Sequence, residues 1–368
     1  MTSKVAINDN EVTRMGSVEV GQLINASLRG DDPYCRLDVF FRDRLSLRPN
    51  ATPPARLPDD FMEPAGVWRL PWNVTVEERT IGDAQNAVSV RIYRDKSCGG
   101  KNNAWLLWAH GGGFTEGSVD TAEAHATCAE LTARTGTTCI SVDYRLTHDG
   151  RNLYPAALDD LLDVWAWIVE QAQRNVQQTT LMIGGASAGS NLAAALCRKL
   201  VDSSREGGVL LPVPHAFLGA YGVFHDMQRE LVKGWDGNTG ILPTPLRFTP
   251  QVCKDMYARY VGRATDFPAY SVPGECDARQ LHGFPPSALI CCEFDDLAPS
   301  SMVFAEQLRQ AGTPVRLRMA AGVLHGFLNW YPSERLPQTL AAIRFLAAFI
   351  EEQIQKQARE RRDESFID

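Results

Sequence analysis

The stretch at 181–190, LMIGGASAGS, runs three apolar residues straight into glycine, alanine and serine. A strand that continued would not carry such residues, because interior glycine weakens it. Read as strand, tight turn and helix start, the stretch sets Ser187 on the bend. Gly185-Ala186-Ser187-Ala188-Gly189 fits G-x-S-x-G, where 185 and 189 must be small because side chains there would meet the neighbouring strand and helix. The turn lifts the serine oxygen out of the sheet, at a helix N-terminus whose N–H groups favour developing negative charge. Standing alone, the same letters also describe a close-packed turn with an inert serine, so the surroundings decide.

Working outward, further strands are predicted at VSVRIYR (88–94), AWLLWAH (104–110), TCISVDY (138–144), HAFLGAY (215–221), SALICCE (287–293) and PVRLRMA (314–320), beside TLMIGG (180–185). Several are unbroken apolar runs, the pattern of strands buried on both faces of a parallel sheet. Helices are predicted over 156–174, 191–204, 301–312 and 336–354. The alternation implies right-handed crossovers and a mostly parallel sheet covered by helices on both faces. Two regions break it. Residues 1–75 hold a proline-rich piece (48–64) and the cluster Trp68, Leu70, Trp72, and 228–275 is a long aromatic-rich connection. A connection of that length serves as a lid or binding element. The expected organisation is a cap contribution from 1–75, core over 76–227, a cap insertion over 228–275, and core with a charged terminal helix over 276–368.

Composition narrows the class. The chain has 368 residues, 44% of them hydrophobic and 22% charged, as in a globular protein with a sizeable core. A net charge of −7 without a basic face argues against nucleic acid as a partner. No stretch approaches the roughly 20 apolar residues of a membrane span, and the first thirty residues lack the apolar core of a secretory signal. The nine cysteines are scattered without a C-x-x-C pair, which predicts reduced thiols, no metal site and a cytoplasmic location.

The chemistry gathers at strand ends. His110-Gly111-Gly112-Gly113-Phe114 closes a buried strand, and its glycines leave backbone N–H groups uncovered. Upstream of a G-x-S-x-G, such a loop supplies the second half of an oxyanion hole, with Gly112, Gly113 and Ala188 as expected donors; His110 is expected to orient the loop. A serine needs a general base and a carboxylate to hold the base's tautomer. Among the seven histidines, His325 in AAGVLHGFLNW (320–330) follows a strand and precedes the last helix, where catalytic groups gather in open sheets. ALICCEFDDLAPS (288–300) ends a strand in Glu293, Asp295 and Asp296, which leaves the acid open among three.

Together these motifs resemble the hormone-sensitive-lipase-like group of carboxylesterases in the α/β-hydrolase superfamily. The resemblance covers about 104–350 through HGGGF (110–114), DYRL (143–146) with YPAALDD (154–160), GASAGSNLA (185–193), GFPPSALICCEFDDL (283–297) and LHGFLNW (324–330). It implies an α/β-hydrolase fold with a helical cap, Ser187 as nucleophile, His325 as base, and Asp295 as acid on the family's Asp-Pro-Leu pattern. Here Asp296 stands in place of that proline, Ala186 in place of an Asp, and Ser190 in place of a second Gly. The implied partner is a small-molecule ester with a short acyl group, no cofactor is called for, and family members of this type are often homodimers. Lactonase, arylformamidase and deacetylase activities use the same machinery. A ligand-binding protein on this scaffold is the alternative from another class, recognisable where a triad member is lost. The aromatics Phe40, Phe41, Trp68, Trp72, Phe248 and Tyr257 are candidates for lining the pocket or for cap core.

Overall fold

All seven predicted strands join one sheet in a computed structural model describing residues 32, 34–48, 54–64, 66–82, 87–97, 103–174, 179–207, 211–226, 239–331 and 335–364. The strands are β1 (Val74–Ile81), β2 (Val88–Asp95), β3 (Ala104–Ala109), β4 (Thr138–Asp143), β5 (Thr180–Ala186), β6 (Ala216–Ala220), β7 (Ser287–Phe294) and β8 (Val315–Leu324). They lie in the order β1-β2-β4-β3-β5-β6-β7-β8. β2 pairs antiparallel with both β1 and β4, and the remaining pairs are parallel. β1 went unread because it is an edge strand: in VTVEERTI only Val74 and Ile81 are buried, which leaves no apolar run.

Helix α1 (Val39–Arg44) precedes the sheet, α2 (Ala122–Thr135), α3 (Ala156–Gln173), α4 (Ala188–Arg205), α5 (Pro250–Val261) and α6 (Ala298–Gln310) lie between strands, and α7 (Pro337–Glu364) follows β8. Alternate strand residues feed two cores, since successive side chains point to opposite faces. Leu106 and Trp108 pack with α2 and α7, while Leu107 and Ala109 pack with α3, α4 and α6. The helix α2 also went unread. Its buried residues are mostly Ala, Thr and Cys, so its inner face carries little apolar contrast.

From β3 the chain turns to one side to make β4, and then returns past β3 to make β5, β6, β7 and β8 on the other. The carboxyl ends of β3 and β5 therefore flank the switch point of the sheet, where open α/β sheets form their crevice.

Two close approaches shape that point. A Cβ on Gly189 would lie 2.2 Å from the Ala109 carbonyl oxygen, and one on Gly185 would lie 2.5 Å from the Gly189 carbonyl. Backbone cannot yield there as a side chain could. Gly189→Ala is expected to force α4 away from β3, lowering the urea midpoint by the equivalent of about 1–3 kcal/mol. An unchanged midpoint would show that α4 does not sit this close.

Candidate active site

Strand register does most of the assembly. Ala109 of β3 pairs with Gly185 of β5, so the loop from His110 and the turn at Ser187 leave the sheet side by side. Phe294 of β7 pairs with Leu324 of β8 across a bulge that begins at Cys292. Asp295 and His325 are the next residues on each strand.

Ser187 sits at φ 51° and ψ −118°, just before the first residue of α4. For a residue with a Cβ that conformation costs roughly 1–3 kcal/mol and persists only where surroundings enforce it. The Ser187 N–H donates to the Ala220 carbonyl at 2.9 Å. Its Oγ lies 2.8 Å from His325 Nε2, and His325 Nδ1 lies 2.7 Å from Asp295 Oδ2. A carboxylate only accepts, so the imidazole proton sits on Nδ1 and Nε2 is left to accept from the serine hydroxyl. The other Asp295 oxygen accepts the Leu297 N–H at 2.8 Å.

Of the three acids at the end of β7, only Asp295 meets His325. Glu293 pairs with Arg36 and accepts the Gly322 N–H at 2.9 Å. Asp296 bonds to Arg247, Thr239 and the Phe248 N–H.

The glycine loop lies against the serine. A Cβ on Gly111 would stand 3.2 Å from Ser187 Cβ and 2.4 Å from Glu123 Oε1. Gly112 and Gly113 adopt φ of 115° and 59°, which glycine takes up without strain. Their N–H groups meet no protein acceptor among the described residues. Ala188 opens α4, so its N–H has no partner within the helix. His110 is engaged elsewhere: its Nδ1 is 2.7 Å from the Gly111 carbonyl and its ring stacks on Tyr144 at 4.2 Å.

Sequence reasoning missed Glu123 and Tyr221. Glu123, buried in the first turn of α2, accepts the Gly111 N–H at 2.8 Å and the Tyr221 hydroxyl at 2.7 Å. The Tyr221 ring in turn stands edge-on to His325 at 5.0 Å. Burial, with Glu123 beside it, pushes the Tyr221 phenol well above its ordinary pKa, which keeps it a donor. Nothing local marks Glu123, because an acid in a helix's first turn is ordinary.

Burial disfavours the charged form of His325, but the Asp295 carboxylate overcomes this, with Glu123 and Asp296 adding to it, and the pKa rises above 6.5. Of the aromatics singled out in the sequence, Phe248 packs on the His325 ring at 4.5 Å. Tyr257 is buried with its hydroxyl donating to the Val223 carbonyl. Phe40 and Phe41 pack around Trp330, in the chain just beyond His325. Trp68 packs on His125, and Trp72 is exposed. Among the described residues no group of His, Cys, Asp and Glu is placed to hold a metal ion, and no helix is long and apolar enough to cross a membrane. The described cysteines are free thiols.

A family model described as alpha/beta hydrolase fold matches residues 106–329. The chain belongs to the α/β-hydrolase family. It is 30% identical over 262 residues to the carboxylic ester hydrolase LipN of Mycobacterium tuberculosis, a match covering 70% of this chain and 66% of LipN. It is 31% identical over 253 residues to an ethyl acetate hydrolase of Pseudomonas putida, covering 66% of this chain and 72% of that protein. The match spans just under two thirds of LipN and of Lipase 2 from a Moraxella species, at 66% and 63% of their lengths. Among solved structures, esterase LipW of Mycobacterium marinum superposes with a TM-score of 0.65 at 26% identity, over 87% of this chain and 96% of that one. A thermostable esterase of Pseudomonas putida, 20% identical over 87% of this chain and 98% of that one, shares the fold with a TM-score of 0.67. The likeness of this α/β-hydrolase to the hormone-sensitive-lipase-like carboxylesterases, read first from HGGGF and GASAG, is thus borne out over residues 106–329.

The raised pKa gives a direct check on this chain of contacts. In a proton NMR titration the His325 ring is expected to show a midpoint above 6.5. Asp295→Asn removes the main favourable charge and should bring the midpoint down, and Glu123→Gln should move it the same way by less. A midpoint indifferent to Asp295→Asn would break the link between the two side chains.

Proposed function

We propose that this protein is a serine esterase that cleaves small carboxylic esters with short acyl groups. The observation that carries the reading is the chain of contacts Ser187 Oγ to His325 Nε2 at 2.8 Å and His325 Nδ1 to Asp295 Oδ2 at 2.7 Å, beside a glycine loop whose Gly112 and Gly113 N–H groups meet no acceptor among the described residues. In this reading His325 takes the Ser187 proton as the oxygen attacks the ester carbonyl. Asp295 stabilises the imidazolium that forms. The tetrahedral oxyanion accepts from Gly112, Gly113 and Ala188, each donor contributing roughly 3 kcal/mol of barrier lowering. Collapse of that intermediate expels the alcohol, which takes the proton from His325. Water, deprotonated by the same imidazole, then attacks the acyl-enzyme and releases the acid.

The short acyl preference rests on the relative named ethyl acetate hydrolase and on Phe248, which packs on the ring of His325. The free thiols of the described residues support a reducing, cytoplasmic setting. Of the cap insertion expected over 228–275, residues 228–238 lie outside the described residues, and 239–275 serves as the cap, with Phe248 on His325 and the Met256 side chain 3.6 Å from where a Gly113 Cβ would lie.

Ser187→Ala is expected to lower kcat for p-nitrophenyl acetate by about 10⁴-fold or more and to abolish labelling by a fluorophosphonate. A protein that only binds ligands would show no labelling before the change either. The acid limb of kcat/KM should follow neutral His325 and so fall with a midpoint above 6.5. Across p-nitrophenyl esters from acetyl to dodecanoyl, the highest kcat/KM is expected at the short end, and a maximum beyond octanoyl would refute the acyl preference.

A further inference from the structure

Asp296 stands beside the acid of the triad, yet its carboxylate serves a different part of the molecule. It accepts from Arg247 Nε at 2.8 Å and Arg247 Nη2 at 3.1 Å, from Thr239 Oγ at 2.6 Å, and from the Phe248 N–H at 2.8 Å. The pair is largely dry, with side chains 14% and 8% exposed for Arg247 and Asp296. A two-pronged Arg–carboxylate contact at such a site fixes geometry as well as contributing energy. Its donors hold the Asp296 carboxyl below its usual pKa against the opposing effect of burial.

What these bonds hold is the approach to α5. Phe248 places its ring 4.5 Å from that of His325, and the next residue, Thr249, caps α5 by accepting the Val252 N–H. The body of α5 has its own anchors on the core. Tyr260 stacks on Phe114 at 4.0 Å, and Tyr257 bonds to the Val223 carbonyl and to Asn191. Over 239–248, Leu242 is buried in the core with Ile241 and Leu246 against it, while the other backbone–backbone bonds among the described residues are turns internal to the segment, from Leu242 to Thr239, Leu246 to Pro243 and Arg247 to Thr244. The carboxylate of Asp296 thus gathers both ends of this segment onto the acid loop.

We infer that Asp296 is a positioning residue that sets substrate size: it clamps residues 239–248 so that Phe248 forms a fixed wall against His325, limiting the group that can reach Ser187. The size effect rests on the proposed esterase reading, whereas the clamp itself is a property of the structure alone. Two readouts keep them apart.

In hydrogen–deuterium exchange of the whole protein, Asp296→Asn and Arg247→Ala should each raise uptake of the amides at 242–248, leaving 253–261 as in the wild type. In kinetics, each variant should raise the kcat/KM ratio of p-nitrophenyl octanoate to acetate by about tenfold. The double variant should go no further than Asp296→Asn, since the Arg247 contact is among those that this change already weakens. Arg247→Lys, which keeps the charge and loses the fork, should fall between. If Asp296 merely shapes the acid loop, Asp296→Asn would lower kcat for both esters equally and Arg247→Ala would resemble the wild type, which overturns the proposal. Unaltered exchange at 242–248 in both variants overturns it as well, even in a protein that hydrolyses no ester. Altered exchange with an unchanged octanoate to acetate ratio, in an active enzyme, refutes the role in size selection.

Discussion

Everything at this site depends on how closely α4 approaches β3 and β5. There is no room for a Cβ at Gly185 or Gly189, because backbone carbonyls of Gly189, Ala109 and His110 occupy the space. With the helix seated that tightly, the chain must turn within a residue or two of the strand end. The strained conformation of Ser187 is the outcome, and its cost is met by the packing of a helix buried throughout Ala188–Arg198. A looser contact would let the turn relax toward ordinary helix-entry geometry. The serine oxygen would then lose its place beside both His325 and the glycine loop.

Features that depend on local chemistry could be read from the letters. Small residues around Ser187, glycines after His110, and acid and histidine at strand ends each have a mechanical reason tied to their neighbours in sequence. Among the three acids only the family pattern singled out Asp295, and it is the one placed 2.7 Å from His325 Nδ1. Features that depend on partners far along the chain could not be read. Glu123 gains its meaning only from Gly111 and Tyr221, and Asp296 only from Arg247 and Thr239. Edge strand β1 and small-residue helix α2 were hidden for a different reason: neither shows the apolar contrast that marks an element. Aromatic content was equally ambiguous. Phe40 and Phe41 brace Trp330, while Phe248 faces His325, and nothing in composition separates wall from core.

The electrostatics of the site run through two buried carboxylates with different partners. Asp295 contacts the imidazole directly, and Glu123 reaches it across the Tyr221 ring while also holding the glycine loop. Loop position and histidine charge are therefore coupled through one side chain on α2. The placement explains why an acid is tolerated in a core otherwise lined by alanine, threonine and cysteine: both of its oxygens are bonded.

The pairing of Phe294 with Leu324 has a consequence for how such a chain can vary over time. Asp295 and His325 are each one residue beyond a paired position, so their alignment is stored in the hydrogen-bond ladder and owes nothing to the length of the peptide that joins them. The intervening helix and turns can lengthen, shorten or drift in composition without disturbing the dyad, provided the ladder keeps its register. A single-residue slip between β7 and β8 would do the reverse, separating the two groups while leaving every loop intact. Heritable change is thereby channelled into the connections and kept out of the seam.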